Sequence, residues 1–259
     1  MSDLGDVLEL MYAAERKPLS VRARITSWQD PAGWAQAVVR WHSDTPGERV
    51  SIDDPRLANA APPLEREVVS HRRPGRMWRV EREGGVLLRH DERWWIQRLD
   101  GGFMTNVRVD GTLDDGSSAD FPSAELEMLF NPRAIPSFCD FLGVGGATYL
   151  DRDAYAVSGR LDVHRREPRR ELFALGVPYA NQLTLLLDAE TGMLLKLETL
   201  ADGDLFMRWQ VEEIAFHQPM DDAFFVGPAD AELLSTYSLA RSFGSGWRGR
   251  LSRWFWTHA

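Results

Sequence analysis

Residues 183–216 read LTLLLDAETGMLLKLETLADGDLFMRWQVEEIAF. Three apolar runs are separated by two short turns, DAETG and ADGD. The runs are of strand length, and Gly, Asp and Thr fill the turns, so the stretch reads as three consecutive antiparallel strands. Both faces of these strands are fairly apolar. Leu183, Leu185 and Leu187 share one face, with Thr184 and Asp188 opposite. In the last run Phe206 and Ile214 fall on one face and Met207, Trp209 and Val211 on the other. The period of two does not say which face points inward.

The strand signal extends outward in both directions. Toward the N-terminus, LEREVVSHRR, RMWRVERE, GVLLRH and RWWIQRL are short, evenly spaced and separated by turn signals at Pro74-Gly75, Gly84-Gly85 and Asp91-Glu92. This is a meander of antiparallel hairpins, and GGFMTNVRV continues it. LSVRARITSW alternates cleanly and makes an earlier strand. Residues 3–16 carry Leu4, Val7, Leu8 and Met11 at helical spacing, and Pro18 closes that helix. Residues 31–41 fit a helical stripe and a strand about equally, and we read them as a strand-like or short helical crossing. The segment 44–63, rich in Pro, Asp and Ala, reads as a long loop. In mid-chain a helix is expected over 123–131, with Ser123 as its N-cap. A second, near 135–142, is ended by the GVGG at 143–146. ATYLDRDAYAVSGRLDVH then supplies two strands. QPMDDAFFVGP closes the sheet region, and 231–242 look helical.

Composition narrows the function classes. The chain has 259 residues, 44% of them hydrophobic, enough for a substantial core. Its formal net charge of −9 disfavours nucleic acid as a partner. One cysteine, Cys139, excludes an intrachain disulfide and reads as a small buried hydrophobe. The N-terminus MSDLGDVLEL lacks the basic and apolar regions of a secretory signal, and no apolar run is long enough to span a bilayer. The expected location is the cytoplasm. Lys17 and Lys196 are the only lysines among 30 basic residues.

No motif carries catalysis. The six histidines, at 42, 71, 90, 164, 217 and 258, include no pair at metal-ligand spacing. GVGG lacks the spacing of a phosphate loop, and the serine of SGR at 158–160 is not set in a nucleophile elbow. The acidic pairs at Asp151/Asp153 and Asp221/Asp222 are what polar turns contain. No enzyme activity and no cofactor or metal are expected. The basic loop HRREPRR at 164–170 reads as solvated charge, with a phosphate headgroup or an acidic partner as the alternative that arginine forks would suit. The C-terminal segment RSFGSGWRGRLSRWFWTHA would align Trp247, Leu251, Trp254 and Phe255 on one helical face. It suits fold-back onto its own domain, a partner contact, or peripheral membrane contact through 247–256.

The closing segment resembles the C-terminal half of the LolA/LppX/RseB superfamily of lipoprotein-carrier-like domains. The resemblance rests on Asp188 at a strand end, the Thr191-Gly192 turn, the return MLLKLE at 193–198, Ile214, and the close at Phe224–Pro228. It is strongest over 183–228 and architectural over 19–182. It implies a mainly β (α+β) fold whose antiparallel sheet is curved into a half-barrel. Helices at the N-terminus, mid-chain and C-terminus would close the open face. It implies one domain over 1–230; residues 231–259, read from their own pattern, follow as a helical Trp/Arg-rich tail. No catalytic residue comes with it. In a half-barrel one face lines a cavity while the other is partly covered, which accounts for strands apolar on both sides.

Two functions follow. The first is a non-catalytic binding protein for a hydrophobic ligand or lipid, with Trp78, Trp94, Trp95, Trp209 and Phe206 as candidate lining residues. Adjacent Trp94 and Trp95 point to opposite faces of a strand, so at most one of them lines the cavity. The second is a protein-interaction or regulatory module whose groove takes its own tail or a partner's segment.

Overall fold

The computed structural model describes residues 4–14, 20–44, 64–73, 77–82, 85–98, 100–107, 130, 132–161 and 179–233; the side chains of 41–44, 64–73 and 82 are not part of that description. The elements are helix α1 (Leu4–Ala13), strand β1 (Val21–Gln29), helix α2 (Pro31–Asp44), β2 (Leu64–Arg73), β3 (Met77–Arg82), β4 (Gly85–His90), β5 (Arg93–Gln97), β6 (Phe103–Thr105), β7 (Cys139–Tyr149), β8 (Arg152–Leu161), β9 (Gln182–Asp188), β10 (Leu194–Ala201), β11 (Asp204–Phe216) and β12 (Glu232–Leu233). The fold is mainly β. Neighbouring strands from β2 to β6 and from β7 to β11 pair antiparallel, and β12 lies parallel to β6.

The chain forms two compact units. The first comprises 1–17, 26–66 and 124–212, and the second 18–25, 67–123 and 213–259. In the first unit the strand order is β1-β11-β10-β9-β8-β7, and in the second β12-β6-β5-β4-β3-β2-β1.

Three sequence expectations are corrected. Residues 31–41 belong to a 14-residue helix, α2. Its start is a capping signal: both Asp30 side-chain oxygens accept backbone N–H groups, from Ala32 and Gly33, and Pro31 opens the first turn. The second mid-chain helix is a short 3₁₀ turn, Pro132–Ser137, and the GVGG expected to end a helix lies inside strand β7. Glycine interrupts a helix, but a strand at the end of a sheet is held by backbone pairing along one side whatever its side chains. Residues 232–233, read as helical, pair as a strand with β6. The helix over 123–131 (apart from Phe130), the basic loop and the segment from 234 onward fall outside the described residues.

The three strands of residues 183–216 supply, up to Glu212, the core of the first unit, and register explains their apolar excess. Leu183, Leu185, Leu187, Leu197, Met207, Trp209 and Val211 share one buried face. The opposite face is polar. There Thr184 donates to Glu198, Lys196 pairs with Glu198 at 2.7 Å, and Gln210 and Thr26 donate to Glu212. The extra apolar residues sit at two β-bulges. One lies between Leu194 and Lys196, where Leu194 and Leu195 are both fully buried; the other lies opposite Thr199/Leu200, where Phe206 and Met207 are both buried. A bulge sets two residues of one strand against one of its neighbour, so consecutive side chains turn to the same side. Neither strand is therefore greasy on both faces.

The β9–β10 turn is built around Asp188, whose side chain has no exposed surface. Its Oδ1 accepts from the Thr191 backbone N–H at 2.8 Å, the Thr191 hydroxyl at 2.7 Å and the Glu190 N–H at 3.2 Å. Its Oδ2 accepts from Arg152 Nε at 2.5 Å. Burial pushes the Asp188 pKa up, but the Arg152 guanidinium and the Thr191 donors outweigh it and hold the carboxyl below its ordinary value. Gly192 completes the turn at φ +76°, and a Cβ there would stand 2.6 Å from the Leu10 carbonyl oxygen of α1. The glycine is required twice, for the left-handed backbone and for the close approach of the helix. Helix α2 is tied to the same unit by Arg40, which pairs with Asp202 at 2.5 Å and donates to the Tyr179 carbonyl, while Trp34 meets the Tyr179 ring edge-on.

The sheet of this unit is curled. Tyr149, on β7, donates its hydroxyl to the Val211 carbonyl on β11 at 2.8 Å. Four strand spacings on a flat sheet come to about 19 Å, beyond the reach of a tyrosine.

In the second unit Trp78, Val80, Leu87, Trp94, Ile96 and Met104 share a buried face. The other face is covered by the segment after β11. There Arg79 lies over the Phe224 ring at 4.5 Å, and a Cβ on Gly227 would fall 2.3 Å from the Trp95 ring. Asn106 ties the end of the meander down, accepting from the Trp94 N–H and donating to the Glu92 carbonyl.

Two outcomes follow for stability. Gly192→Ala should cost more than about 2 kcal/mol in chemical denaturation, because strain and a clash coincide. Gly145→Ala, whose Cβ meets nothing within 4 Å, should be close to neutral. Asp188→Asn should remove about 3 kcal/mol at neutral pH by breaking the buried pair. A depressed folded-state pKa gives stability that is present above the unfolded value, about 3.9, and lost as pH falls through the folded one. The wild-type denaturation midpoint should therefore drop on acidification below that range, and the Asp188→Asn curve should be flatter there.

Candidate functional site

Four strands of the first unit present a continuous apolar row. Val157 on β8 is paired with Leu185 on β9, Leu185 with Leu197 on β10, and Leu197 with Trp209 on β11. The next row runs Gly159, Leu183, Thr199, Met207. Most of these residues are buried by the ordinary logic of a sheet with one covered face. Helices α1 and α2 bury Val7 and Met11, and Ala35, Ala37 and Val38, within the same unit.

Two polar side chains interrupt this lining. Trp209 is 8% exposed and its indole Nε1 is buried with no acceptor in reach among the described residues. A buried indole N–H ordinarily finds a partner, and leaving one unmade costs about 1–3 kcal/mol. Thr199, diagonal to Trp209 on the neighbouring strand, is fully buried, and its hydroxyl makes one long bond of 3.4 Å to the Met207 carbonyl. The arrangement offers an unanswered donor, and a weakly engaged hydroxyl beside it, within an apolar surface. It suits a molecule with an apolar body and one acceptor oxygen.

Nucleophilic chemistry has a different requirement, which Cys139 does not meet. Burial and the neighbouring Asp140 charge push its thiol up to about 12. The thiol is then protonated at neutral pH, whereas a nucleophile must be a thiolate. Its sulfur fills the space beside Gly159, where a Cβ would lie 2.1 Å away. Among the described residues no three metal-ligating side chains gather, and no helix is long and apolar enough to cross a membrane.

The five candidate residues divide between the units. Trp209 and Phe206 lie in the first. Trp209 stands in the apolar row, while the Phe206 bulge packs against α2, where a Cβ on Gly33 would come 3.1 Å from the Phe206 Cβ. Trp78, Trp94 and Trp95 lie in the second. As their spacing requires, Trp94 and Trp95 face opposite ways: Trp94 shares a face with Trp78, and Trp95 is covered by the Gly227 segment. Thr199 was missed. Its signal was there, a lone threonine at an inward position of LLKLETLA, but composition does not mark a polar residue whose importance is the company it keeps.

No family model matches the chain, and no curated protein does. Solved structures do. The MucA/MucB complex of Pseudomonas aeruginosa matches with 18% identity and a TM-score of 0.40, over 91% of this chain and 64% of that one. LprF from Mycobacterium bovis matches with 10% identity and a TM-score of 0.43, over 88% of this chain and 99% of that one. A LolA superfamily protein from Nitrosomonas europaea matches with 9% identity and a TM-score of 0.30, over 88% and 99%. The neighbours thus include the group that residues 183–228 resemble. At these scores and identities the likeness bears no functional weight.

Cys139 supplies a check on this account of the site. Native protein at mildly alkaline pH should react with iodoacetamide at least about tenfold more slowly than a free thiol of ordinary pKa, and at the ordinary rate once unfolded. Fast labelling of the native chain would make Cys139 a candidate nucleophile.

Proposed function

We propose that this chain is a non-catalytic binding protein for a hydrophobic ligand carrying one hydrogen-bond acceptor. The ligand's apolar body lies along the Val157–Leu185–Leu197–Trp209 row of the first unit. Its carbonyl, ester or carboxylate oxygen takes the indole N–H of Trp209, and the Thr199 hydroxyl stands beside that oxygen. The observation that carries this reading is the buried, unanswered Nε1 of Trp209. A donor without an acceptor in an apolar interior is a standing cost, and a ligand oxygen removes it. Acyl chains and isoprenoids with an oxygen-bearing head have this chemistry.

The test begins with protein purified from its host, extracted with organic solvent and analysed by mass spectrometry. A stoichiometric acyl or isoprenoid compound is expected, as is uptake of a fluorescent fatty acid by the extracted protein. Trp209→Phe keeps an aromatic body and removes the donor. It should weaken fatty-acid binding by about tenfold, the effect of one hydrogen bond, and leave binding of an alkane of equal length unchanged. An empty extract with no fatty-acid uptake sinks the reading. Equal loss for both probes would show that Trp209 acts by its bulk alone.

A further inference from the structure

β7 is the last strand in the sheet order. Its inner edge pairs with β8 along its length, and no described element pairs with its outer edge. It is 11 residues long, and Asp140, Leu142, Gly143, Gly145, Gly146 and Thr148 are exposed. Soluble proteins blunt such edges with charge, proline, bulges or short length, because a free row of N–H and C=O groups is a template for another strand. Residues 141–149, FLGVGGATY, contain no charge and no proline. The one bulge falls between Phe141 and Gly143. It leaves seven regular residues, 143–149, and it displays Leu142 at 70% exposure.

We infer that the outer edge of β7 is where a second copy of this chain adds its own β7, antiparallel, about a two-fold axis at Gly146. Self-pairing in that register sets Val144 opposite Thr148, Gly145 opposite Ala147, Gly143 opposite Tyr149, and Gly146 opposite itself. β-branched residues face one another, which is favourable across a strand pair. The small residues raise no clash, since a Cβ on Gly145 or Gly146 meets nothing within 4 Å. Charge and register together favour a copy of the same chain: a molecule of net charge −9 repels its own copy least where it shows no acid, residues 141–149 meet that condition, and the segment is self-complementary about Gly146.

Sedimentation velocity over a concentration series tests this. The wild-type chain should show a monomer–dimer equilibrium. Gly146→Lys puts like charges opposite each other on the axis. It should raise the dimer dissociation constant at least about tenfold with an unchanged melting temperature, because the site is open. In a Cys139→Ala background, Gly146→Cys should form a disulfide-linked dimer on mild oxidation, since paired Cβ atoms across a strand pair lie about 5 Å apart; Asp153→Cys should not. A wild-type chain that stays monomeric at every concentration, with no cross-link through position 146, overturns the proposal and leaves the edge to a different protein's strand. A dimer that Gly146→Lys does not weaken also overturns it, by placing the contact elsewhere.

Discussion

The first unit depends on one buried carboxylate. Asp188 sits at the end of β9 with no exposed surface, and its oxygens are shared among Arg152, Glu190 and Thr191. These bonds do three jobs. They close the turn into β10, fasten β8 to that turn, and shape the loop so that Gly192 passes beneath α1. An isolated charge could not remain there, because its desolvation would cost several kcal/mol. The guanidinium and the Thr191 donors offset that cost, and the carboxylate in turn fixes the backbone of the turn.

The apolar face grows from this frame. With the turn fixed, the register of β8 through β11 is fixed, and the rows of Val157, Leu185, Leu197 and Trp209 follow from it. A one-residue slip would send the whole set to the polar face. The two bulges work within this constraint. They let adjacent apolar residues share a side without moving the rest of the register. The same register places the Trp209 indole where no acceptor among the described residues reaches it. On the proposed function, a fixed frame around an unmet donor is a form of pre-organisation for a ligand oxygen.

Much of this was legible in the residues. The strands of the meander and of residues 183–216 follow from their period and turn chemistry. Asp188 and Thr191-Gly192, which stand out in the sequence as a strand-end and turn pattern, are the residues that carry the turn. Other features were not legible. The Asp30-Pro31 capping signal was present, but AQAVVRW satisfies helix and strand periods alike. The GVGG of β7 shows the limit from the other side: glycine says where a helix stops, and it is silent about a strand held by backbone alone. The apolar pairs Leu194-Leu195 and Phe206-Met207 looked like two-sided strands because a bulge has no composition of its own.

The sequence by itself determined the mainly β character, the strands of the meander and of residues 183–216, and the opposed faces of Trp94 and Trp95. These are local properties, set by periodicity and turn chemistry over a few residues. The tertiary structure decided which face is buried, where the bulges fall, that Asp188 is ionised and enclosed, that the Cys139 thiol is held protonated, and that the Trp209 indole meets no acceptor among the described residues. Each of these depends on residues brought together from distant parts of the chain. Burial, dielectric surroundings and hydrogen-bond reach are properties of that assembly.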